Sequence, residues 1–514
     1  MGFADLPAPQ GHFHFTNAEY REVKLVGALG ARGVRGQQTA TRASETVIEQ
    51  CYNLGMSGGG HGHKPIHPWL DLHGWVEWLS GWNISRAVVL TTIFLGLLFV
   101  LAELIPNFIT FVFWWAIGTA PIWLPLALFR SGWHAWIEYI REEYLASHDV
   151  VLLEVRIPRD IMKSPRAMEL VFNAFYTKSG ETTVFDRAWR GSVRPFISWE
   201  LVSFGGEIHF YTWCWTRYRR SVETAIYAQY PEVEIVEADD YSMRFVYDPK
   251  KHFVFCTDYI YDPRGDEYPI KSYIDFELDK DPKEEFKIDP FANVIEVMSN
   301  LKPNEQAWIQ IIVRTEDKAT GHNAFNPKSS TWKKRVEQEV NKIRRDASVA
   351  VGKEEADESD PDKYGTFPRP TWKQTRTIET LERHLGKIPF EVGMRGMYIS
   401  EGAPHGPTYT NVRWIWKPFN SPAYLNQLRP RRAHNDFDYP WHDIGGFRWR
   451  WVVRYYLDAY RTRSFFYTPY GEHGFVMTPE TLATIYHYPS RTVAAPGLQR
   501  ISAKKAEPPP NLPR

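Results

Sequence analysis

Three hydrophobic patterns follow one another along this chain, and each predicts a different kind of element. The first is an almost uncharged run. Between Arg86 and Arg130 the one charged residue is Glu103. Pro106-Asn107 divides the run into Ala87–Ile105, 19 residues, and Phe108–Phe129, 22 residues. At about 1.5 Å per residue these make helices of roughly 28 and 33 Å, matching the roughly 30 Å hydrocarbon core of a bilayer. A helix satisfies its own backbone groups there, so the run predicts a transmembrane hairpin over 86–130, with Pro121 and Pro125 kinking the second helix. A buried hairpin of a soluble domain is the competing reading, and the length and lack of charge argue against it. Aromatic residues flank the run as they do at membrane interfaces: Trp69, Trp75, Trp78 and Trp82 before it, Trp133, Trp136, Tyr139 and Tyr144 after it. Residues 67–85 read as an interfacial amphipathic helix, with Leu70, Trp75, Trp78, Leu79 and Trp82 toward lipid, and 131–149 as a juxtamembrane helix. The turn carries no Lys or Arg, whereas Lys64 and Arg86 lie on one flank and Arg130 and Arg141 on the other. The positive-inside rule then places both ends and the bulk of the chain in the cytoplasm, as a multi-pass protein of the cytoplasmic (inner) membrane.

The second pattern alternates strand and helix periods. Val150–Ile157 reads as a strand, Ser164–Tyr176 as a helix, Phe196–Ser203 and Glu207–Trp215 as strands joined at Gly205-Gly206, Tyr218–Tyr230 as a helix and Val233–Val236 as a strand. This βαββαβ order over 150–242 predicts a ferredoxin-like unit, with Trp199 and Leu201 on its hairpin. Because strand neighbours point to opposite faces, Leu201 is expected in the core and Glu200 outside it. A second α+β unit is expected over 243–400. Its predicted elements are a strand at Tyr273–Leu278, a helix from Asp289-Pro290 to about Asn300, a strand at Ala307–Val313, a helix at about Gln374–Leu385 and a strand at Phe390–Ile399. A charged insertion, 331–370, interrupts it with a basic helix and the acidic stretch 354–362, and is expected at the surface. The fold class is therefore α+β, a two-helix transmembrane hairpin followed by ferredoxin-like units with a charged insertion.

The third pattern is dense in aromatics and arginine, over 401–474. Packing is the expected role; stacking on single-stranded nucleic acid is the alternative, disfavoured by the interspersed acids. In 475–514, Thr478, Pro479 and Glu480 open a short helix with Leu482, Ile485 and Tyr486 on its apolar face, ended by Pro489 and followed by a Pro-rich strap. The stretch 1–66 reads as a flexible tail, and its His61, His63 and His67 region is too Gly-rich to fix a metal.

Composition adds bounds. The chain has 514 residues, 61 Lys and Arg against 61 Asp and Glu, and a mean hydropathy of −0.41, so the membrane segment is small beside a water-soluble mass. Zero net charge excludes a broad duplex-DNA-binding face, so any nucleic-acid contact is expected to be weak or indirect. Three scattered cysteines, 51, 214 and 256, read as reduced thiols. No GxxxxGK[ST], GxSxG, HExxH or CxxC pair occurs, and no cofactor or catalytic residue is expected. The cluster His434, Asp436, Asp438, His442 and Asp443 offers metal-ligand chemistry and sustains the alternative of a membrane-bound metal-dependent enzyme.

Several blocks together carry a resemblance: VLLEVRIP at 151–158, KSPRAMELVF at 163–172, SWELVSFGGEIHFYTW at 198–213, ETAIYAQYPEVEIVEADDY at 223–241, IDPFANVIEVMSNLKPNEQAWIQIIV at 288–313, GKIPFEVGMRGMYIS at 386–400 and FVMTPETLATIYHYP at 475–489. In this order they resemble the region ahead of the motor in HerA/TraG-like conjugative ATPases. The resemblance implies a non-catalytic, homo-oligomeric membrane platform in a type IV secretion or DNA-transfer apparatus. It also implies that Leu482, Ile485, Tyr486 and Pro489 dock a separate Walker-type ATPase, since this sequence holds no phosphate-binding loop. A structural envelope scaffold is the other alternative.

Overall fold

The structure is a computed structural model. It describes residues 86–501 except 105–106, 159–160, 162, 177–179, 182, 281–288, 317–331, 350–366, 369, 424, 432–442, 491–492, 494–495 and 499. Trp69, Trp75, Trp78 and Trp82 lie outside the described residues, as do the strap beyond Ile501 and His434, Asp436, Asp438 and His442.

Two apolar helices come first, α1 (Arg86–Leu104) and α2 (Phe108–Ala146). The boundary expected near Arg130 is absent: α2 is one helix of 39 residues that runs through Pro121 and Pro125. Arg130, Ser131 and Gly132 leave the helical hydrogen bonds unbroken, and the Ser131 hydroxyl donates back to the Ala127 carbonyl at 3.0 Å. The helix expected over 131–149 is therefore the continuation of the second apolar segment. One described helix, Thr110–Ala146, is long and apolar enough to cross a membrane; α1 contributes a shorter apolar stretch, Thr91–Val100.

The remainder is a mixed α+β body around a ten-stranded sheet. Its first half runs β1 (Val150–Pro158), α3 (Pro165–Ala174), β2 (Phe196–Phe204), β3 (Glu207–Trp215), α4 (Arg219–Gln229) and β4 (Glu234–Glu237). The strands pair antiparallel in the order β4-β1-β3-β2. Gly205 and Gly206 make the β2–β3 turn with φ of 57° and 97°, the left-handed pair that matches strand twist.

The second half runs β5 (His252–Asp262), α5 (Phe291–Ser299) and β6 (Glu305–Thr315). An excursion follows: α6 (Trp332–Ala347), the ribbon of β7 (Ser348–Val349) with β8 (Phe367–Pro368), and α7 (Trp372–Leu385). Then come β9 (Phe390–Glu401), α8 (Gly406–Arg413) and β10 (Gln427–Pro430). Its strands pair antiparallel in the order β10-β5-β9-β6, the first half's order repeated. The halves meet where β2 and β6 pair antiparallel from Phe196↔Arg314 to Phe204↔Gln306.

Two expectations change here. Tyr273–Leu278 is a turn, pinned by the Ser272 amide donating to Asp275 Oδ2 at 3.0 Å. The strand that opens the second half is β5, which hides from a period-two search because both of its faces are buried. The helix expected near 374–385 forms as α7 ahead of β9, and a further helix, α8, stands between β9 and β10. The insertion is also more than a solvated surface: Trp332, Val336 and Val340 of α6 bury with Leu381 of α7.

Both sheet faces are covered, and this overturns the placement of Glu200. Trp199 and Leu201 enter one core beside α3, α5 and α10 (Pro479–Ile485). Val202 enters a second core beneath α9 (Phe447–Arg461), and Glu200, on that same face, is fully buried. Short strands bind the C-terminal segment in: β11 (Phe475–Met477) pairs with β9, and β12 (Arg500–Ile501) lies parallel to β1.

Candidate functional site

The foot of α2 is built into the sheet body. Ile140 is buried, Tyr144 and Leu145 pack against the second core, and His148 stacks on Trp215 with ring centroids 4.7 Å apart. Gly191 fits against the stem at φ 62°, where a Cβ would stand 2.1 Å from the Ile140 carbonyl oxygen. Between Thr110 and Tyr139 the helix is exposed along nearly its whole length. Trp133, Trp136 and Tyr139 all retain open surface at its lower end, and the Trp136 indole donates to the Ala188 carbonyl at 2.9 Å.

Beneath α9 lies a buried charge centre. Arg463, left-handed at φ 53°, makes a two-pronged contact with Glu200: Nε to Oε1 at 3.0 Å and an Nη to Oε2 at 3.1 Å. The same guanidinium pairs with Asp240. Glu200 also accepts from Ser198 at 2.7 Å, Gln310 at 3.0 Å and Tyr241 at 2.8 Å, and the Tyr241 hydroxyl meets that of Tyr460 at 2.7 Å. Burial works against the charge on both Asp240 and Arg463, yet pairing prevails, holding the carboxyl below and the guanidinium well above their ordinary values.

A groove of about 650 Å³ opens next to this centre. Tyr211 and Tyr241 stack in its wall at 5.0 Å, with Phe245, Arg156, Arg244 and Glu154 around them. His209 bonds Glu154 at 2.7 Å and draws its pKa down, while burial, aided by Glu154, pushes the Tyr211 phenol up. Both shifts reinforce the charge state each group already holds at neutral pH, so the groove offers aromatic faces and fixed charges for contact. Among the described residues no group of three or more His, Cys, Asp or Glu is placed to hold a metal ion. Asp443, the described end of the 434–443 cluster, is engaged with the start of α9, accepting from the Arg448 and Trp449 amides at 2.9 and 2.8 Å.

The residues expected to dock an ATPase sit elsewhere than expected. Leu482, Ile485, Tyr486 and Pro489 are all buried, with Tyr486 against Trp199 and Phe210 at 5.6 and 5.9 Å. The apolar face of α10 is spent within the chain, packed on α3 and the sheet, because a seven-residue helix must find its stabilising contacts in tertiary structure. Sequence reasoning also missed Glu480, which reads as a favourable first-turn acid and is in fact fully buried. It pairs with Arg383 at 3.0 Å and Lys387 at 2.8 Å and accepts from Ser272 at 2.5 Å. Burial would raise its pKa; the surrounding positive groups and Ser272 outweigh that and hold it low.

Beside Glu480, burial holds the His384 imidazole down at about 4, against an ordinary 6.5. Between those values the unfolded chain takes up a proton that the folded chain refuses. Stability should therefore be full above about pH 6.5 and fall toward pH 4, by on the order of 3 kcal/mol at most. Denaturation midpoints of the full chain in detergent at pH 7 and pH 4.5 should show this loss, and His384→Gln should lessen it. An equal loss in the variant would rule out His384 as its source.

The model of a domain of unknown function, DUF8128, matches residues 148–420. The chain belongs to this family. No curated protein matches it. The DUF8128 region begins at the foot of α2 and takes in β1 through β9 and α8, but both charged centres reach beyond it. Glu200 and Asp240 lie inside the region and their partner Arg463 outside; Arg383 and Lys387 lie inside and Glu480 outside. In this DUF8128 protein, α9 and α10 complete the cores of the matched domain.

Proposed function

We propose that this protein is a non-catalytic, membrane-anchored platform, with α1 and α2 as a two-span anchor and the sheet body on the cytoplasmic side. The observation that carries this reading is the two-part character of α2: an exposed apolar helix above, and a foot seated in the sheet core below. A continuous helix transmits position from a bilayer to the domain without a flexible joint. The basic flanks, Arg86 and Arg130, favour a cytoplasmic body. We read the two halves of the sheet as ferredoxin-like repeats, an interpretation supported by the common strand order and by the intervening helices.

The apparatus served is, on the resemblance of the sequence blocks, one of type IV secretion or DNA transfer, with the platform self-associating and receiving a HerA/TraG-like ATPase. That contact falls to surfaces other than α10, whose apolar face is occupied. Affinity purification of the full chain from membranes solubilised in mild detergent, with mass spectrometry, tests the reading. A Walker-type ATPase and a homo-oligomeric chain are the expected outcome. Recovery of the chain in the soluble fraction, or as a monomer without an ATPase, would overturn it.

A further inference from the structure

A short turn beside the stem has a surface that the body leaves open. Residues 183–190 fold as a one-turn helix, Val184–Ala188, capped by the Thr183 side chain accepting from the Asp186 amide. One side of this turn is fixed to α2: Ala188 is buried, its carbonyl takes the Trp136 indole proton, and Trp189 meets the Trp136 ring edge-on at 6.2 Å. Gly191, directly after it, touches the backbone of Ile140. Away from this contact the turn presents Val184 and Phe185 at 59% and 56% exposure, and Trp189 keeps 60% of its surface open beside Trp136. Arg190 lies over the Phe185 ring at 5.3 Å and reaches Asp186 at 3.3 Å, and Arg187 shares the turn.

The height of this turn along α2 gives the patch its meaning. Phe129 closes the apolar segment, and Trp136 follows seven residues later, about 10 Å further along the axis. A headgroup layer adds roughly 5–8 Å beyond each side of the hydrocarbon core. At about 10 Å the turn stands at the outer edge of that layer, where guanidinium groups meet phosphates, and the tilt of roughly 20° common to spanning helices, taken toward this side, lowers it toward the boundary between water and lipid that Trp and Phe rings favour. Three exposed apolar side chains in one turn, fixed by an indole hydrogen bond and a glycine contact, are costly in water and suited to that boundary.

We propose that the 184–190 turn is a second membrane contact, seating Phe185 and Trp189 in the lipid interface beside α2 and placing Arg187 and Arg190 on anionic phospholipid headgroups. This rests on the reading of α2 as a membrane anchor. It adds a lateral contact that helps to fix the tilt of the body against the bilayer, since α2 otherwise joins the body to the apolar segment at its foot alone.

The test uses the full chain with Cys51→Ser; the remaining cysteines, Cys214 and Cys256, are buried. Single cysteines introduced by Phe185→Cys, Trp189→Cys, Leu128→Cys or Lys250→Cys are labelled with an environment-sensitive fluorophore. Each chain is reconstituted into phosphatidylcholine/phosphatidylglycerol vesicles carrying a nitroxide-headgroup lipid or an acyl-chain nitroxide lipid. The labels at 185 and 189 are expected to lose fluorescence to the headgroup nitroxide, the Leu128 label to the acyl-chain nitroxide, and the Lys250 label to neither. Replacing Arg187 and Arg190 by Gln should reduce quenching at 185 toward that in pure phosphatidylcholine. Quenching at 128 with none at 185 or 189 would overturn the second contact and leave the anchor standing. No quenching at 128 would overturn the anchor itself, and with it the inference.

Discussion

Removing residues 475–514 from the full chain is expected to abolish cooperative folding of the sheet body. The deleted segment includes Leu482, Ile485, Tyr486 and Tyr488, all fully buried or nearly so, and β11, which extends the sheet at β9. It also carries Glu480, whose loss leaves Arg383 and Lys387 without a shared partner. Leu482→Ala by itself should cost about 2–5 kcal/mol, the range for a buried large-to-small change. Several such losses together exceed the roughly 5–15 kcal/mol by which a typical domain is stable. Thermal melts followed by circular dichroism, together with limited proteolysis, read the result. A truncated chain with an unchanged cooperative transition would refute the structural role of α10. Failure of such a truncation to bring down a partner would say nothing about docking, because the body itself is expected to unfold.

Arg463→Met is expected to destabilise the chain by about 3–5 kcal/mol, because Glu200 then stays buried without its countercharge. Ser198, Gln310 and Tyr241 still donate to the carboxylate, but neutral donors do not offset the desolvation of a full charge. Combining the change with Glu200→Met should return much of the loss, since a buried pair replaced by apolar groups of similar size costs far less than half of a pair left behind. Denaturant midpoints of the two single variants and the double variant measure this. A double variant at least as unstable as the sum of the singles would show that the two side chains do not act on each other.

The strong local signals in the sequence match the structure. Gly205-Gly206 between two alternating runs specifies a hairpin, and the structure has one there with both glycines left-handed. Ser164-Pro165 starts α3, and Asp289 precedes α5, where its side chain accepts from the Phe291 amide at 2.9 Å. The local pattern is silent where an element is buried on both sides. Neither β5 nor Glu200 shows its environment in a period-two pattern, because the second face of the sheet is covered by α9, more than 240 residues further along than Glu200.

The sequence by itself determined the elements whose cause is local: the nearly uncharged run long enough for a bilayer, the first strand-helix series and the start of α10. These follow from backbone satisfaction, side-chain period and capping within a few residues. Only the tertiary structure decided that α2 continues unbroken into the core and that the two halves of the sheet join through β2 and β6. It alone decided that the face of α10 is consumed internally and that Glu200 meets Arg463 across 263 residues. Those outcomes depend on which distant surfaces cover one another, and an apolar or charged side chain has the same local pattern whether its partner is lipid, another chain or its own fold.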